Sequence, residues 1–158
     1  MPITYFGSAW ATLGLVRFVP PPIDLATRQQ RAIDAIRMYG GTHDVDENIA
    51  GKPVVKVKIV YEVDDQELAQ LVDLLTAFPE LRSLTFKSAR ISDAGLTHLQ
   101  NLPELRSLSL ENAAVTDVGL ASLTRLARLE ELVLKGTQVT DAGVREFQTR
   151  QGQIRIAR

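Results

Sequence analysis

The sequence predicts an α/β solenoid: stacked strand-plus-helix units with a parallel β-sheet on the concave face, helices on the convex face and a capping helix at the N-terminal end. Three observations carry that reading. A block headed by two leucines and an alternating pair recurs every 24 residues, as Leu81-Arg82-Ser83-Leu84-Thr85-Phe86, Leu105-Arg106-Ser107-Leu108-Ser109-Leu110 and Leu129-Glu130-Glu131-Leu132-Val133-Leu134. Each copy is followed at a fixed offset by a second signature: Ile91-Ser92-Asp93-Ala94-Gly95-Leu96, Val115-Thr116-Asp117-Val118-Gly119-Leu120 and Val139-Thr140-Asp141-Ala142-Gly143-Val144. A worn copy, Val63-Asp64-Asp65-Gln66-Glu67-Leu68, precedes them. Terminal repeats lose their pattern in this way because one of their faces has no neighbour to pack on.

Taken in order, residues 1–23 form an apolar segment with a proline-rich spacer, 24–53 a capping helix and polar turn, and 54–158 the repeat domain. Between Ile3 and Val16 there is no charge, and Tyr5, Phe6, Trp10 and Phe18 are almost half of the nine aromatic residues. That run is short for a bilayer span, and its first basic residue, Arg17, comes after it, where a secretory signal needs one before. Capping of the solenoid end is the preferred role for these aromatics, ahead of a partner or membrane contact through residues 1–19. Pro20-Pro21-Pro22 is a stiff extended spacer. Thr27-Arg28-Gln29-Gln30 fits a capping box, Ala32, Ile33, Ile36 and Tyr39 recur at helical spacing, and Gly40-Gly41 stops the helix, predicted over 24–39. A polar stretch over 42–52 leads to a β-branched strand over 55–60.

Within each repeat the residue types follow from geometry. Leu84/Phe86, Leu108/Leu110 and Leu132/Leu134 stand at i and i+2, so both point from a strand toward one core. Strands are expected over 83–86, 107–110 and 131–134, with a last one over 154–156 reached by a connection two residues shorter than the 24-residue register. Ser92, Thr116 and Thr140 are placed to cap the return helices, with Asp93, Asp117 and Asp141 in the first turn against the positive end of the dipole. Leu96/Leu99/Leu102 and Leu120/Leu123/Leu126 give an apolar stripe, and Pro79 and Pro103 stop helices. Gly95, Gly119 and Gly143 oppose helix formation. The sequence therefore predicts a close approach to the preceding turn there, and a destabilised Gly119→Val variant.

The pattern Leu-x-x-Leu-x-Leu followed by (Val/Ile)-(Thr/Ser)-Asp-x-Gly-Leu resembles the leucine-rich repeat family. It is similar in particular to bacterial, planctomycete-like short repeats with a Thr-Asp-Ala-Gly-Leu signature, related to the repeats of F-box proteins. The resemblance covers residues 52–158, and the helix with Gly40-Gly41 is similar to the lead-in of such proteins. Ala89, Ala113 and Thr137 stand where many repeats carry a buried Asn or Cys. The resemblance implies a leucine-rich-repeat solenoid acting as a protein-interaction scaffold, and no catalytic residues to carry over.

Composition excludes several chemistries. Lys and Arg number 18 against 19 acidic residues, so no global field steers the chain to nucleic acid. Zero cysteines exclude disulfides, thiolate ligands and cysteine nucleophiles. His43 and His98 are too few and too far apart for a metal site. Asp44-x-Asp46-x-Asn48 starts like a calcium loop, but Ile49 and Val55 occupy the positions that require Gly and Glu, so a solvated turn between two strands is expected. Asp64-Asp65 is explained by helix-dipole stabilisation. Neither a catalytic triad nor a phosphate-binding glycine loop is present in the sequence, so no enzyme and no cofactor are expected.

What remains is the set of outward strand positions. They line up as Lys56, Ser83, Ser107, Glu131; Lys58, Thr85, Ser109, Val133; and Val60, Lys87, Glu111, Lys135. In the third row each charge from Lys87 onward is expected to have an opposite neighbour about one strand, ~4.8 Å, away. The function expected is non-enzymatic binding of a protein partner on this concave face, through Lys58, Ser83, Thr85, Lys87, Ser107, Ser109, Glu111, Glu131, Val133 and Lys135. Without Trp, Tyr or Arg anchors its affinity should be micromolar, about 8 kcal/mol or less. The alternative is a membrane-associated or self-assembling structural element that uses the aromatic N-terminus. The cytoplasm is slightly favoured over export or membrane anchoring.

Overall fold

The computed structural model describes residues 24–152 and 154–158. The apolar segment, its aromatics and the proline spacer lie outside the described residues. The architecture is α/β around a mostly parallel six-stranded sheet, with strands β1 (Thr42–Val45), β2 (Val54–Ile59), β4 (Ser83–Phe86), β6 (Ser107–Leu110), β7 (Glu131–Val133) and β8 (Arg155–Ala157) side by side in that order. A short ribbon pairs β3 (Val63–Asp64) with β5 (Ala89–Arg90). The helices among the described residues are α1 (Leu25–Met38), α2 (Asp65–Leu75), a 3₁₀ helix (Gly95–Asn101), α3 (Asp117–Leu123) and α4 (Asp141–Gln151).

α1 begins where the sequence places it, by a different device. Asp24, not Thr27, is the N-cap: its carboxylate accepts from the Thr27 N–H at 2.8 Å, and Gln30 donates to Asp34 rather than reaching back. An Asp one turn upstream simply reaches the free amide first. At the other end Gly40 takes φ 62°, a left-handed conformation that favours glycine, and the Tyr39 carbonyl accepts from the Val60 and Tyr61 N–H groups. α1 buries Ala32 and Ile36, and Gln29 donates to the Ala77 carbonyl past the end of α2. The helix therefore covers the open end of the core.

The stretch read as a polar turn contains β1, which runs antiparallel to β2 with Thr42 opposite Lys58 and Asp44 opposite Lys56. Only His43 and Val45 of its four residues turn inward, and both are half-buried, so the apolar alternation is too short to show in the sequence. Beyond it every pairing is parallel and in step: Lys56 with Ser83, Ser83 with Ser107, Ser107 with Glu131 and Glu131 with Arg155. The last pairing corrects the expected terminal register. Ile156 pairs with Leu132, a full 24 residues on, because α4 runs to Gln151 and Gly152, at φ 78°, turns the chain at once into Ile154.

The inward positions behave as predicted. Leu84, Phe86, Leu108, Leu110, Leu132 and Leu134 are at most 1 % exposed, and they join Leu96, Leu99, Leu120 and Leu123 from the helices in one continuous apolar cluster. No polar side chain is buried among the described residues. The first regular unit carries a 3₁₀ helix whose N-cap, Ala94, has no polar side chain to offer.

Candidate interaction face

Helices cover one face of the sheet; the other presents the predicted rows. Register extends two of them in both directions, giving Asp44, Lys56, Ser83, Ser107, Glu131, Arg155 and, beside it, Thr42, Lys58, Thr85, Ser109, Val133, Ala157. Thr42, Asp44, Arg155 and Ala157 were missing from the sequence-based set because β1 was read as a turn and β8 in the wrong register. The four central hydroxyl residues Ser83, Thr85, Ser107 and Ser109 are half-buried, flanked by exposed Lys56 and Lys58. Thr42, Asp44, Lys56, Lys58, Ser83 and Thr85 line a shallow recess of about 170 Å³ at the N-terminal end of this face.

The third row sits at the strand ends. Lys87 and Lys135 are exposed and Glu111 is half-buried. The expected mutual neutralisation does not occur: among the described residues none of the three takes part in an ion pair. The row is the last on the sheet: Asn112 adopts φ 59° directly after Glu111, and its N–H donates to the Lys135 carbonyl. On the face itself Glu131 accepts from the Ser107 hydroxyl at 3.1 Å. Along the neighbouring edge Arg106 pairs with Glu130 and Arg128 with Glu104, each tying one unit to the next.

What holds these units in register is a chain of carboxylates that the sequence reading assigned to the helix dipole. Asp65 accepts both the N–H and the hydroxyl of Ser92, Asp93 those of Thr116 at 2.7 and 2.6 Å, and Asp117 those of Thr140 at 2.8 and 2.6 Å. Each hydroxyl also accepts from an N–H at its own helix start: Ala94, Val118 and Gly143 respectively. The Asp of one unit thus fixes the cap of the next. Gly95, Gly119 and Gly143 make room for it, since a Cβ on each would run into the carboxylate of Asp65, Asp93 and Asp117 in turn. The close approach is real, but the neighbour is a side chain rather than backbone.

The worn copy now has a physical reading. Among the described residues no unit with such a carboxylate precedes Asp64, so its position needs neither a hydroxyl nor, at Glu67, a glycine. Asp64 instead forms a capping box with Glu67, while Asp65 serves Ser92. At the far end the Arg158 guanidinium binds Asp141 and the Val139 carbonyl. The Thr140 hydroxyl and N–H hold the Asp117 carboxyl below the usual carboxylate range, with Arg158 adding to the effect. Thr27 does the same for Asp24, and burial, assisted by Glu67 and Asp64, pushes the Tyr39 phenol up.

Asp44, Asp46 and Asn48 do not form a cation loop: Asp44 lies in β1, and Asp46 accepts from the Asn48 N–H in a local turn. Among the described residues no cluster of three or more His, Cys, Asp or Glu could hold a metal ion. None of the described helices is long and apolar enough to cross a membrane. No protein-family model and no curated protein matches the chain.

Proposed function

We propose that this chain is a non-enzymatic leucine-rich-repeat solenoid that binds a protein partner on the concave face of its sheet. The observation that carries the reading is the open face: in-step parallel strands hold alternating side chains in fixed rows, with no helix above them among the described residues. The backbone that carries them is already ordered by the sheet, so binding has to order only the side chains themselves, which limits the entropic cost of association. The carboxylate chain between units adds to that rigidity, because neither a strand nor its return helix can slide without breaking two charge-assisted bonds. The 24-residue repeat and its glycine logic support the family reading, since the signature residues all serve unit-to-unit packing.

The test is a pull-down with the full chain as bait, comparing the parent with the double variant Lys87→Glu, Glu111→Lys. Loss of a captured protein with an unchanged melting temperature supports the reading. Retention by the double variant, together with loss when residues before Asp24 are deleted, would place binding on the N-terminal segment and overturn it.

A further inference from the structure

Lysine is distributed unevenly in this chain. Of its five lysines, Lys56 and Lys58 stand on the open face and Lys87 and Lys135 just past the ends of its strands, and only Lys52 lies elsewhere. Lys52 is ion-paired, to Glu47 at 2.6 Å; the other four have no ionic partner among the described residues. Arginines take the other pairs, mostly along the edges and helices. Lysines on a strand often serve to block edge-to-edge association. That explanation does not reach Lys56 and Lys58, because β2 is an interior strand with β1 on one side and β4 on the other.

The cations also cluster. Lys56 and Lys58 are two apart on β2, and Lys87 follows directly on the neighbouring β4, with the Thr42, Ser83 and Thr85 hydroxyls between and around them. Asp44 is the one carboxylate in this corner; Glu111 and Glu131 lie one and two strands further on. Residues i and i+2 of a strand are spaced ~6.6 Å apart, the spacing that an extended peptide also gives its alternate side chains.

We propose, building on the protein-binding reading above, that the N-terminal half of the open face recognises an extended acidic peptide segment, with carboxylates at alternate positions meeting Lys56 and Lys58 and a further one meeting Lys87. The hydroxyls of Ser83 and Thr85 donate to the same carboxylates or to the peptide backbone. An acidic peptide fits better than a nucleic acid. Discrete carboxylates can sit on the lysines and leave Asp44, Glu111 and Glu131 unopposed, whereas a continuous phosphate backbone crossing the face would meet all three.

The experiment is fluorescence anisotropy of the full chain with a labelled peptide of alternating Glu and Ser. A Lys-Ser peptide and a single-stranded oligonucleotide of the same length serve as comparisons. The Glu-Ser peptide should bind, and weaken steeply between about 0.1 and 1 M salt, over which the screening length falls from ~10 to ~3 Å. Lys56→Gln, Lys58→Gln, Lys87→Gln should lose about fivefold or more, the scale of a few surface ion pairs. The charge-preserving arginine triple and the helix-side pair Arg125→Ala, Arg145→Ala should bind like the parent. Absence of Glu-Ser binding, equal binding by the glutamine triple, or tighter binding of the oligonucleotide would each overturn the proposal. A face-dependent pull-down alongside any of these would leave the protein-binding reading standing and remove only the acidic-peptide assignment.

Discussion

Gly119→Ala puts the structural account under direct stress, because two physical terms predict opposite signs. Glycine in a helix costs about 1 kcal/mol relative to alanine, so propensity alone makes the variant more stable. The added Cβ, however, meets the Asp93 carboxylate and lies 3.0 Å from Leu96 Cδ1. Asp93 cannot yield without giving up its bonds to the Thr116 N–H and hydroxyl, at 2.7 and 2.6 Å. Hydrogen bonds to a charged group are worth about 1.5–3 kcal/mol each, and these are only part-buried, so losing both costs about 2–4 kcal/mol. The net is a destabilisation of about 1–3 kcal/mol, or a melting temperature lower by roughly 3–10 °C for a chain of this size. A thermal melt measures the sign, and a double-mutant cycle with Asp93→Ala measures the cause. Without its carboxylate neighbour, Gly119→Ala should become neutral or stabilising. A single variant as stable as the parent, or an undiminished penalty in the Asp93→Ala background, would refute the carboxylate explanation.

Further outcomes follow from the same contacts. Leu108 is fully buried at the centre of the stack, so Leu108→Ala should lose about 2–5 kcal/mol in denaturant unfolding; an unchanged midpoint would mean the inward register is wrong. The Asp117 carboxyl titrates below its ordinary value in the folded chain, so it contributes stability above the ordinary carboxylate pKa, and that contribution is lost as pH falls through the folded value. Melts from neutral to acid pH should therefore fall less steeply in Asp117→Asn than in the parent, and parallel curves would exclude the effect. Arg158→Ala removes a largely exposed pair with Asp141 and should cost no more than about 1 kcal/mol, measured by urea unfolding.

The legible part of this fold was the part written by burial. Leucines two apart on strands and three apart on helices have one solution once a 24-residue period is seen, and the core obeys it from Leu84 to Leu134. Elements whose residues are half-wet were not legible. Thr42-His43-Asp44-Val45 becomes a strand because β2 offers it an edge to pair with, a tertiary cause that four polar-leaning residues do not reveal. The terminal register was misjudged because Ile154 and Ile156 are both apolar, and only the turn at Gly152 decides which of them pairs with Leu132. The carboxylate chain was missed although its members were all noticed. Each residue had a sufficient local role, and nothing local shows that Asp93 serves Thr116 rather than its own helix. The signal was there in the covariation of the signature: glycine and hydroxyl are present in every unit that has a predecessor and absent together at Asp64 and Glu67.

The central functional claim is that the open face is where partners bind, and the chain carries its own reporter for it. Mild acetylation of lysines, read by mass spectrometry, compares four positions on the face or at its strand ends with Lys52 off it. With a partner first eluted from the immobilised chain and then added back in pure form, labelling of Lys56, Lys58 and Lys87 should drop while Lys52 keeps its rate. Equal labelling of all five lysines with and without bound partner would contradict the assignment.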